Sequence, residues 1–127
     1  MKQLLFTILI TILIIFLTSS LSSAKRLHLE KWYQDKWCQE QNGKIEFVLS
    51  DSTRVDCLTD KNAIEFDFGS KWAEAIGQAL YYSARTNKKA GIVLILEDSK
   101  DQKYWVRLNT TIDNFNLPID IWKIERK

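Results

Sequence analysis

An α/β fold, a mixed sheet flanked by helices in one small domain, is predicted by three observations. Residues 53–58 and 63–68 alternate apolar and polar side chains, the period of two that sends a strand's successive residues to opposite faces. Residues 91–96, GIVLIL, are apolar without interruption, as in a strand buried on both faces of a sheet. Between these segments, residues 70–86 repeat apolar positions at helical spacing, so strand, helix and strand form a crossover unit that should be right-handed. With one helix and one further strand upstream, the order of elements is αβββαβ.

Residues 1–24 start with Lys2, continue through an apolar run over residues 4–17 and end in the small polar residues TSSLSSA. Ser22 and Ala24 suit the −3 and −1 positions of a signal-peptidase site, which predicts an export signal cleaved before Lys25. The competing reading is a retained membrane anchor at residues 4–17. A hydrocarbon core of about 30 Å asks for about 20 apolar residues, and this run is shorter and holds two threonines. The mature domain, residues 25–127, is therefore expected to be secreted or periplasmic and without stable membrane association. It is close to neutral: the whole sequence has 18 basic and 16 acidic residues, and one lysine of that count lies in the leader. No broad basic field advertises a polyanion-binding surface.

Residues 28–42 read as a helix, with Leu29, Tyr33 and Trp37 at every fourth position, Trp32 beside them, and Asn42-Gly43 as the stop. Its aromatics are best explained by packing. Residues 44–50 alternate Ile45, Phe47 and Leu49 with polar residues, and Asp51-Ser52 turns the chain into the strand at 53–58. The turn at 59–62 leads into the strand at 63–68, completing an antiparallel meander. Beyond residue 96, residues 104–108 are expected to form a strand, residues 110–115 a short helix, and residues 119–124 a last strand after Pro118. The two cysteines, Cys38 and Cys57, either bridge the first helix to the second strand or stay as buried thiols. A single histidine, and no CxxC, P-loop or GxGxxG, leave no zinc finger, conventional triad or nucleotide-phosphate loop to assemble.

The candidate chemistry lies in acids on neighbouring strands. The period of two puts Glu65 and Asp67 on one side of their strand and Ile64, Phe66 and Phe68 on the other, while Asp56 sits opposite Val55 and Cys57. If the strands pair, Asp56 comes beside Glu65, and two carboxylates from adjacent strands suit Mg²⁺, which completes its shell with water and phosphate oxygens. On the following helix Lys71, Gln78 and Tyr82 share a polar stripe.

These residues carry a resemblance: VD, then IE nine positions on, then a helix containing QALYY, then the apolar strand GIVLIL. The pattern resembles the PD-(D/E)XK nuclease superfamily, including archaeal Holliday-junction resolvases and RecB-type nuclease domains. The resemblance covers residues 30–97 and implies a restriction-endonuclease-like core. It carries Asp56 onto the first acid, Glu65 onto the second, and Gln78 with Tyr82 onto the helix signature. Asp67 stands where the family usually has lysine, and Lys71 is the nearest cation to replace it. Glu30 resembles the acid that many members carry on the first helix.

The expected function is thus an exported endonuclease-like hydrolase of DNA or RNA that depends on Mg²⁺ or Mn²⁺. Asp56 and Glu65, joined by Glu30, would be metal ligands. Asp67, Lys71 and Gln78 would take catalytic or supporting roles, and the likeness to resolvases allows a homodimer. The alternative is a nuclease fold that no longer cuts and serves as a binding module of the cell envelope.

Overall fold

The computed structural model describes residues 1, 3 and 26–126. The expected export signal and its cleavage point fall outside these residues, apart from Met1 and Gln3. The order of elements is α1 (Glu30–Glu40), β1 (Lys44–Val48), β2 (Arg54–Leu58), β3 (Asn62–Phe68), a 3-10 turn (Gly69–Lys71), α2 (Trp72–Thr86), β4 (Lys89–Leu96), a second 3-10 turn (Ser99–Asp101), α3 (Gln102–Phe115) and β5 (Ile119–Glu125). The sheet runs β1-β2-β3-β4-β5. Its first three strands form the antiparallel meander that the turn residues predict, and β3, β4 and β5 are parallel.

The helices cover both faces. Ala90, Ile92, Leu94 and Leu96 of β4 pack with Ala75 and Ala79 of α2 and Leu108 and Ile112 of α3. On the opposite face Val93 and Ile95 join Ile64, Phe66 and Phe68 of β3 beneath Tyr33, Trp37 and Cys38 of α1. Each continuous apolar strand is thereby covered twice, as its composition requires. Cys38 and Cys57 are joined as a disulfide, which ties α1 to β2.

Two expectations are corrected. Residues 104–108 lie within α3 and not in a strand. Their alternation of Tyr104, Val106 and Leu108 mimics a strand, but Trp105, Leu108 and Ile112 also satisfy helical spacing and face the core. A parallel link from β4 to β5 needs a crossover element, and Asp98 with Asp101 supplies a capping box at its start. In α1, Leu29 precedes the helix and is 80% exposed, and Trp32 is 48% exposed. The buried positions of that helix are Tyr33, Gln34 and Cys38.

Candidate active site

Every residue of β3 is buried, including its two acids: Glu65 is 5% and Asp67 2% exposed. The alternation correctly puts both on one face, but that face lies under α2. Ala75 and Ala79, fully buried on α2, let the helix approach the sheet closely.

Asp56 arrives from β2. The paired register of β2 and β3 covers Leu58↔Ala63 and Cys57↔Ile64 and stops there. One step further sets Asp56 opposite Glu65, and the next would set Val55 opposite Phe66. Instead, the backbone N–H of Phe66 donates to Oδ2 of Asp56 at 2.8 Å. The carboxylate of Asp56 thus enters the ladder and parts the strands beside Glu65.

The strict alternation expected of β2 fails at this point. Cys57 packs with Cys38 and Ile64 under α1, whereas Val55 packs with Ala63 and Tyr82 on the α2 face. The same reversal occurs on β1, where Ile45 joins the Cys57 cluster and Phe47 the Val55 cluster. Between them, Glu46 has φ 52°, a left-handed conformation unusual in a strand for a residue with a side chain.

The electrostatics follow from burial and crowding. Burial raises the pKa of Asp56, a shift opposed by the Phe66 N–H and reinforced by Glu30. Glu65 is raised still more, by burial and then by the charges of Asp56 and Asp67. Asp67 is pushed up to about 7 by burial and by Glu30, with Lys71 pulling the other way. The three acids and Glu30 form one mutually repelling group. Glu30 itself is half-buried, with a pKa raised mainly by burial. Lys71 ends the 3-10 turn ahead of α2; its Nζ is 3.9 Å from Oδ1 of Asp67, beyond a hydrogen bond. Gln78 is exposed on α2 and accepts a 3.4 Å bond from the hydroxyl of Tyr82 through Oε1. The acids Glu65 and Asp56 help raise the pKa of Tyr82 to about 12, after burial. A groove of about 480 Å³, lined by Glu30, Gln34, Glu46, Arg54, Asp56 and Tyr82 among others, opens onto this cluster from solvent.

Oε2 of Glu65 and Oδ1 of Asp67 are buried and accept no hydrogen bond, and Lys71 Nζ, 3.9 Å from the second of these oxygens, is the cation beside them. Among the described residues no group of three or more acidic, histidine or cysteine side chains is placed to hold a metal ion. Mg²⁺ does not need one, since one or two carboxylates hold it while water and phosphate fill the rest of its octahedron.

The structure therefore brings Asp56, Glu65, Asp67, Lys71 and Glu30 into one electrostatic neighbourhood, with Gln78 linked to it through Tyr82. Reading the sequence did not single out Gln34 or Glu46. Gln34 is 2% exposed, and its Nε2 donates both to Oε1 of Glu46 at 3.0 Å and to the carbonyl oxygen of Asp56 at 2.8 Å. Its one sequence signal is position: Glu30, Gln34 and Cys38 stand at i, i+4 and i+8, on one stripe of α1. No protein-family model, curated protein or solved structure matches the chain.

Proposed function

We propose that the chain is a divalent-metal-dependent nuclease of the PD-(D/E)XK type, exported and acting on DNA or RNA. The observation that carries the proposal is the convergence of Asp56 and Glu65 from parted strands next to Asp67, with two buried carboxyl oxygens that accept no hydrogen bond. The αβββαβ order and the position of Glu30 agree with the same reading. Asp56 and Glu65 would hold Mg²⁺ or Mn²⁺, with Glu30 reaching the ion from the groove side. The bound ion supplies an acidified water and stabilises charge on the scissile phosphate. Lys71, half-exposed at the mouth of the cluster, orients the water or neutralises a phosphate oxygen. Hydrolysis would place the water oxygen on phosphorus as the ester bond breaks, with one of the water's protons ending on the departing sugar oxygen. Asp67 holds Lys71 in range, and Gln78 positions a neighbouring phosphate. The disulfide fits export into an oxidising compartment.

The test is a cleavage assay of the mature protein, residues 25–127, on single- and double-stranded DNA and RNA with and without Mg²⁺. Metal-dependent cleavage that disappears in Asp56→Ala and Glu65→Ala, with the fold retained, supports the proposal. One observation favours a second reading, a nuclease fold kept for binding. Asp67 occupies the family's lysine position and draws the substitute, Lys71, towards itself. That reading predicts no cleavage and the same melting temperature with and without divalent metal.

A further inference from the structure

We propose that Gln34 is a positioning residue for Asp56, acting with Glu46 to hold β1 and β2 in their reversed arrangement so that the Asp56 carboxylate stays anchored on the Phe66 N–H. The inference rests on the metal-site reading above and assigns a role to residues outside its ligand set. Its basis is a coincidence of irregularities at one cross-strand position. The β1–β2 register pairs Ile45↔Cys57 and Phe47↔Val55 and leaves out the intervening Glu46 and Asp56. Both strands change the face of their apolar residues across that step. Glu46 takes a positive φ there, and the carbonyl of Asp56 is satisfied by a helix side chain.

A single amide accounts for all of these. Nε2 of Gln34 has two hydrogens and spends both, one on the Glu46 carboxylate and one on the Asp56 carbonyl. Arg54 holds the other oxygen of Glu46 at 3.1 Å, fixing that carboxylate from the solvent side. With its main chain gripped by α1, Asp56 cannot return to a regular ladder, and its carboxylate takes the Phe66 N–H. A left-handed non-glycine residue and a reversed strand both cost free energy. Without the amide, the regular ladder is the lower state, and in it Val55 pairs with Phe66 and the Asp56 carboxylate gives up the Phe66 N–H.

The experiment compares the oxidised mature protein with Gln34→Leu and Gln34→Glu, the second isosteric but unable to donate. Leu108→Ala, in the α2–α3 core, serves as a control of lowered stability. Two quantities are read: Mn²⁺ affinity by electron paramagnetic resonance, and hydrogen exchange at the Phe66 amide in metal-free protein. Both Gln34 variants are expected to bind Mn²⁺ at least about tenfold more weakly, as for residues that orient a metal ligand, and to change the exchange rate of the Phe66 amide relative to its β3 neighbours. Leu108→Ala is expected to melt earlier but bind Mn²⁺ as the wild type does. Unchanged Phe66 exchange in both Gln34 variants would overturn the positioning role, and so would unchanged Mn²⁺ affinity. A wild-type protein that binds no Mn²⁺ would instead overturn the metal-site reading and, with it, the role assigned to Gln34.

Discussion

Asp56 and Glu65 are separated by nine positions and a four-residue turn, and the pairing of β2 with β3 makes them neighbours. That adjacency was legible because alternation and turn chemistry fix a hairpin register in the sequence itself. Gln34 and Glu46 were not legible. A polar residue in a short helix looks solvated, and nothing in a sequence marks a glutamate for positive φ. Two expected outcomes belong to these side chains. Lys71→Ala should cut cleavage on the order of a hundredfold, as for loss of one group that stabilises transition-state charge. It should leave Mn²⁺ affinity equal or higher, because it removes a cation that competes at Asp67; kinetics and a metal titration separate the two effects. Asp67→Asn should weaken the grip on Lys71 and remove one repelling charge from Glu65. Its metal affinity should therefore fall far less than that of Glu65→Ala, as calorimetric titration with Mg²⁺ would show.

Among the elements, α1 links the disulfide to the acid cluster. From its stripe of Glu30, Gln34 and Cys38, Gln34 meets β2 at the Asp56 carbonyl and Cys38 at the disulfide with Cys57. The loop it closes spans 19 residues, so reduction should remove about 3 kcal/mol of stability, visible as a lower urea midpoint. Gly43 is packed against that bridge: a Cβ there would lie 2.5 Å from Sγ of Cys57 and 2.6 Å from Sγ of Cys38. Gly43→Ala should therefore cost about 1–3 kcal/mol by overpacking. The cost should shrink in Cys38→Ala/Cys57→Ala, a non-additivity that urea titration of the four proteins would measure. The meander and the β3–α2–β4 crossover could be read from periodicity because each segment has one clear period. Residues 104–108 could not, since five residues fit both periods and only the parallel placement of β5 decides between them.

For the whole molecule, the buried acids set the pH dependence. Asp56, Glu65 and Asp67 all have pKa values raised in the folded state, Asp67 to about 7. A raised carboxyl keeps its proton on folding, so the folded state binds more protons than the unfolded chain above the ordinary carboxyl range, about 4. Stability of the metal-free protein should consequently be highest near that pH and fall as pH rises through about 7. Asp51, Asp98, Asp120 and Glu125 are lowered and pull in the opposite direction. They are largely exposed, where solvent screens such pairs to little effect, so the buried cluster governs the slope. On the proposed reading a divalent ion would reverse it, because the folded protein would then prefer ionised carboxylates. At a hundredfold excess over its dissociation constant the ion adds about 2.7 kcal/mol, with the largest gain at the alkaline end. Melting temperatures from pH 4 to pH 8, in chelator and in Mg²⁺, should therefore converge at acid pH and diverge above neutrality. Parallel curves would mean that the acids meet no cation, and the repulsion among them would then be an unrelieved cost to the fold.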